Sequence, residues 1–100
     1  MYEIETTAVY DRWFAKLRDA RARANIDIRL RRLKRGNPGD VRFAGSGVLE
    51  IKIDFGPGYR VYYMRRDESV VMLLAGGDKG SQDRDIRRAI ALAADIRSES

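Results

Sequence analysis

VLEIKIDFGPGYRVYYMRRDESVVMLLA, Val48 to Ala75, is the stretch whose reading decides the fold. From Val48 to Phe55 the side chains alternate. Leu49, Ile51, Ile53 and Phe55 share one face and Glu50, Lys52 and Asp54 the other, the period of a strand with one buried side. Gly56-Pro57-Gly58 turns the chain, and Tyr59 to Arg65 returns as a second strand. A three-residue loop sets Phe55 opposite Tyr59, Ile53 opposite Val61 and Ile51 opposite Tyr63. Apolar then meets apolar throughout, which a slip of one residue would undo. Asp67-Glu68 makes the next turn. Ser69 to Ala75 is apolar on both faces and reads as a central strand.

Outward from this core, Val41 to Ala44 forms a short strand before the Gly45-Ser46-Gly47 turn, and Met1 to Thr6 alternates enough for another. Thr7 can cap a helix whose Tyr10, Trp13, Phe14 and Leu17 make a buried stripe. A second helix runs from about Asn25 to Arg35, with Ile26, Leu30 and Leu33 inward, and Gly36-Asn37-Pro38-Gly39 stops it. Ser81 caps a last helix from about Gln82 to Ile96, with Ile86, Ala89, Ile90, Ala93 and Ile96 as its apolar stripe. The order is β-α-α-β-β-β-β-α. That is an α+β fold in which helices pack on a mostly antiparallel sheet, with residues 1–100 forming a single domain.

Composition narrows the chemistry. There is no cysteine and no histidine among the 100 residues. Disulfides, thiolate metal sites and a cysteine nucleophile are therefore excluded, as is the side chain best suited to acid–base work near neutrality. No metal site and no cofactor are expected. No apolar run is long enough to span a membrane and no leader pattern opens the chain, so a cytoplasmic protein with no membrane partner is expected. Asp11 to Arg35 holds ten Lys and Arg against three Asp, a charge of +7 in a chain whose total is +5. A polyanion or an acidic protein is the natural partner of such a segment, although two solvated, arginine-rich helices would look the same.

In the three-residue register Asp54 faces Arg60, Lys52 faces Tyr62 and Glu50 faces Met64, all on the side away from the N-terminal helices. The plain account of Asp54 and Arg60 is a cross-strand ion pair worth about 0.2–1 kcal/mol. Yet Lys52, Arg60, Tyr62 and Glu50 together resemble a surface for single-stranded nucleic acid, in which cations track phosphate and a ring stacks on a base. Tyr62 is equally explained as a residue that favours strands. Gly76-Gly77-Asp78-Lys79-Gly80 leads from the last strand to a helix N-terminus, where free amides and Lys79 can meet an anion. It lacks the spacing of a P-loop, and a flexible connection is the simpler account.

Leu49 to Leu92 resembles the C-terminal half of RelE/ParE-superfamily toxins, in particular the HigB-like branch called addiction module killer proteins. The GPGYRVYY hairpin and the GGDKxxQxxDI entry to the last helix carry the resemblance. F-A-x-L-R-D in the first helix and G-N-P-G-D after the second extend it to nearly the whole chain. It implies the toxin of a type II toxin–antitoxin pair, with the ribosome and mRNA as targets and a small helical DNA-binding antitoxin as partner. Many such toxins cut mRNA in the ribosomal A site. Arg60 falls where ribonuclease members keep an arginine on the scissile phosphate, Lys52 on a basic strand position, and Lys79 near a further cation. The tyrosine or histidine that some members use has no counterpart in Ser81-Gln82-Asp83-Arg84-Asp85; Glu50, one polar residue among several, or a Lys52 that neighbouring cations favour in its neutral form, is a candidate base. Tyr62, Arg29, Arg32 and Arg35 are the candidate RNA contacts. Cleavage of this kind uses the 2′-hydroxyl of the RNA as nucleophile, so the protein need only orient it, take a proton and stabilise charge. The ParE side of the resemblance implies a different outcome, non-enzymatic inhibition of DNA gyrase. A nucleic-acid-binding module without catalysis is the third reading.

Overall fold

A computed structural model describes residues 1–99. Its strands are β1 (Glu3–Thr6), β2 (Val41–Gly45), β3 (Val48–Ile53), β4 (Tyr59–Arg65) and β5 (Val70–Gly77). Its helices are α1 (Ala8–Lys16), α2 (Ala20–Lys34) and α3 (Gln82–Ser98), the last entered through a 3-10 turn over Lys79–Ser81. The element order and the α+β class are those expected from the sequence. The five strands form one sheet in the order β1-β5-β4-β3-β2, parallel only between β1 and β5. Among the described residues no helix is long and apolar enough to cross a membrane.

Helices cover both faces of this sheet. On one side Tyr10 of α1 and Ile26 and Leu33 of α2 pack on Ile51, Ile53, Val61, Tyr63, Val71 and Leu73. On the other, Ala89 and Ala93 of α3 pack on Val48, Tyr62, Met64, Met72, Leu74 and Ala75. A bulge between Tyr62 and Tyr63 explains why both Leu74 and Ala75 turn toward α3. The sheet side away from α1 and α2, expected to be an open surface, is instead a second core.

Three local features differ from the sequence reading. α2 starts at Ala20 rather than near Asn25, because the Asp19 carboxylate accepts from the Arg21 and Ala22 amides, a cap worth about 1 kcal/mol. Ala22, fully buried, is the apolar contact of that added turn. The hairpin β3–β4 pairs Ile53 with Tyr59, Ile51 with Val61 and Leu49 with Tyr63, two residues away from the expected register. The loop holds five residues, not three. The Phe55 amide bonds back to the Ile53 carbonyl at 2.9 Å and the Gly58 amide to the Phe55 carbonyl at 3.1 Å, while Gly56 and Gly58 take positive φ. Because the shift is even, every side chain keeps its face and only its cross-strand partner changes. Asp54 therefore pairs with Lys52 at 3.6 Å and not with Arg60.

Candidate functional site

β3 and β4 place Lys52 opposite Arg60 and Glu50 opposite Tyr62. The neighbouring strands extend each row, with Gly77 of β5 next to Arg60 and Arg42 of β2 next to Glu50. All these side chains point to the α3 side. Lys79 lies just beyond Gly77, and a Cβ built on Gly58 would sit 3.8 Å from the Lys79 Cβ, which puts Lys79 against the β3–β4 loop. One end of the sheet thus carries Lys52, Arg60 and Lys79 from three separate segments.

Their environments differ sharply. Arg60 is 5% exposed and Glu50 2%. The Arg60 Nη1 donates to Glu50 Oε2 at 3.2 Å, and Gln82 Nε2 from the first turn of α3 donates to Glu50 Oε1 at 2.9 Å. Both carboxylate oxygens are engaged. Such a pair loses much of its hydration, and its attraction offsets that loss only while the partner bonds stay intact. Lys52 is about one-third exposed and Lys79 is exposed, so these two meet solvent.

Tyr62 is completely buried beneath α3 and does not offer a ring to a base. Burial first, then the nearby Glu50 and Asp85 carboxylates, pushes its pKa up. The hydroxyl lies close to Glu50 but reaches no hydrogen-bond geometry. Arg29 likewise does structural work: Nη1 donates to the Lys52 carbonyl at 2.7 Å, and Nη2 to the Pro38 and Asp40 carbonyls at 3.1 and 3.2 Å. Partial burial lowers its pKa, the adjacent Arg32 adding to the effect. Arg32 on α2 and Arg35, the residue that caps its C-terminus, are exposed, across the sheet from Glu50.

Arg42 was not singled out by the sequence. It is exposed, stands opposite Glu50, and with Glu50 and Gln82 lines a cleft of about 200 Å³ between β2 and α3. The alternation of VRFAG carried the signal, since Arg42 must share the face of Glu50 whenever β2 pairs with β3. Two glycines hold this end of the sheet tight against both helices. A Cβ on Gly76 would lie 2.2 Å from the Trp13 ring, and one on Gly77 would lie 1.8 Å from Asp85 Oδ2. Asp85, buried in the first turns of α3, accepts a short hydrogen bond from the Ser81 hydroxyl. Among the described residues no group of three or more acidic side chains comes together to hold a metal ion.

The arrangement offers solvent-facing cations, Lys52, Lys79 and Arg42, at the end of the sheet where a buried arginine and an amide hold the Glu50 carboxylate in place. It can bind a phosphodiester by charge, with a potential proton acceptor below. Residues 12–98 match the family described as Phage derived protein Gp49-like (DUF891). An uncharacterized protein of Haemophilus influenzae is 45% identical over 94 residues, covering 94% of this chain and 95% of that protein.

Proposed function

The chain belongs to the phage derived Gp49-like family, a toxin–antitoxin toxin family related to RelE and HigB-like toxins, and from that premise we propose that it is an mRNA-cleaving toxin. In this reading it acts on ribosome-bound message and is neutralised by an antitoxin protein. The observation that carries it is the Glu50–Arg60 pair, with Arg42 and Lys52 in the adjoining strand positions and Lys79 against the β3–β4 loop.

Lys52 and Lys79 contact the non-bridging oxygens of the scissile phosphate, and Arg42 holds a neighbouring phosphate. The 2′-hydroxyl attacks phosphorus, its proton passing to Glu50 Oε1 once the RNA takes the place of Gln82. The P–O5′ bond breaks, leaving a 2′,3′-cyclic phosphate and a 5′-alkoxide that takes a proton from water to become a 5′-hydroxyl end, while Glu50 returns its proton to solvent. Arg60 remains on Oε2 and fixes the orientation of Glu50, so it is a positioning residue and not a phosphate contact. Removing one cation that stabilises the developing charge typically costs about 3–4 kcal/mol of barrier. The ribosome supplies the alignment of the message.

The test compares wild type with Lys52→Ala/Lys79→Ala in a cell-free translation extract, with mRNA 5′ ends mapped. Wild type should create new ends and the double variant, whose replaced side chains are not in the core, should not. Unbroken mRNA with wild type would remove the proposal. The burial of Arg60 and Glu50 favours one other reading, inhibition of DNA gyrase without catalysis. A supercoiling assay separates the two, because an RNA-cleaving protein leaves supercoiling untouched.

A further inference from the structure

A second cationic region lies on the far side of α3. β1 pairs only with Val70 to Leu73 of β5, so the last residues of β5 have no strand beside them on that edge. There α1 and α3, from opposite faces of the sheet, enclose a cleft of about 270 Å³. Arg12 and Lys16 line it from α1, Arg84 and Arg88 from α3, and Trp13 and Gly76 form part of its floor. All four cations are exposed. Each pair is spaced i, i+4, which sets its two members about 6 Å apart along a helix. Asp85 also lines the cleft, but its carboxylate is engaged by Ser81 and lies 3.7 Å from Arg84 Nε. Trp13, whose ring rests on Gly76, adds apolar surface suited to a sugar or base.

This cleft is joined to the candidate site. Arg84 also lines the neighbouring depression at the start of α3, whose other charged residues are Lys79, Arg87 and one carboxylate, Asp83. The cations therefore continue from Lys79, around the N-terminal turn of α3, to Arg12 and Lys16. We infer that the α1–α3 cleft is a binding track for single-stranded RNA flanking the cleaved linkage, its phosphates held by Arg12, Lys16, Arg84 and Arg88. The inference rests on the RNA reading given above and extends it to residues that take no part in the chemistry. The continuity through Arg84 favours RNA over an acidic peptide, which would need only one local cluster of charge.

The experiment measures binding of a fluorescent 12-residue oligouridylate across a salt series. Four full-length proteins are compared: wild type, Arg12→Gln/Lys16→Gln/Arg88→Gln, the charge-preserving Arg12→Lys/Lys16→Arg/Arg88→Lys, and a control neutralised elsewhere, Arg18→Gln/Arg31→Gln/Lys34→Gln. Each phosphate contact adds about 0.7 to the slope of log K against log salt, so the first triple should lower that slope by about 2. The charge-preserving triple should keep the wild-type slope, and the control should change it little. Circular dichroism confirms that each variant is folded; should the first triple not fold, the single variant Arg88→Gln must still lower the slope by about 0.7. Equal loss in the control and the first triple overturns the track, since general charge alone would explain it. If the first triple binds like wild type while Lys52→Ala/Lys79→Ala binds poorly, the track is wrong and the RNA reading stands. If the cleft variant retains RNA binding but loses binding to polyglutamate, the cleft serves an acidic protein instead. No binding of RNA by wild type at any salt overturns the track, while the cleavage reading is decided separately by the mRNA ends mapped in the translation extract.

Discussion

Arg60 and Glu50 form an ion pair with 3.2 Å between Nη1 and Oε2, and both side chains are almost wholly buried between the sheet and α3. Removing one member strands a charge in the interior, which typically costs about 3–5 kcal/mol. Arg60→Met and Glu50→Leu should each lower stability by that amount in urea unfolding, while the double variant should recover most of the loss. If each single variant is as stable as wild type, the pair is solvated and this geometry is wrong. It follows that loss of toxicity in Arg60→Ala alone does not distinguish chemistry from unfolding.

Gly77 leaves space for Asp85 and Ser81 at the entry of α3, and a Cβ there would lie 1.8 Å from Asp85 Oδ2. Gly77→Ala should therefore destabilise the fold by about 1–3 kcal/mol, the usual cost of an extra group in a filled core. Because the displaced turn carries Lys79, cleavage should fall further than stability explains. Equal unfolding midpoints for variant and wild type would rule out the close approach.

Tyr62, Tyr10 and Tyr63 are buried phenols, and burial is the main cause that raises the pKa of each above its ordinary 10.0. A raised folded pKa contributes stability that is fully present below pH 10 and lost as pH rises through the folded value. Stability should therefore decline from about pH 10 upward, and less steeply in Tyr62→Phe. At pH 7 the same change removes a buried hydroxyl with no hydrogen-bond partner, so it should be neutral or stabilising by up to about 1 kcal/mol. Toxicity should survive it. A strong loss of toxicity in a stable Tyr62→Phe protein would restore a functional role for the ring's hydroxyl.

Arg29 bonds three carbonyls that tie α2 to the β2 approach and to β3. Arg29→Ala should cost about 2 kcal/mol, in the range for hydrogen bonds to charged groups. Its slope of RNA affinity against salt should match wild type. A reduced slope with unchanged stability would return Arg29 to the set of RNA contacts.

Much of this molecule is legible in the chain, and the misses share a cause. Alternation and turn residues mark each strand, because period two follows from local backbone geometry. The register of β3–β4 is not local in that sense: it depends on whether Phe55 enters the ladder or turns back on Ile53, and both choices put the same residues on the same face. The cover over Glu50 and Tyr62 was visible in Val48, Met64 and the doubly apolar β5, which demand a second packed face. An open-surface position for Tyr62 and Arg60 is incompatible with that demand. Lys52 and Arg60 share a face because strand alternation puts them there, whereas Arg42 and the α1–α3 cleft depend on pairings between distant segments.

Purified ribosomes programmed with a defined mRNA give the most direct test of the central claim that the sheet end handles an RNA phosphodiester. With wild-type protein the message should break at sites within the ribosome-bound region, yielding fragments with 2′,3′-cyclic phosphate ends, and Lys52→Ala/Lys79→Ala should leave it whole. Full-length message after incubation with folded wild-type protein, or equal cutting by the double variant, would contradict the account.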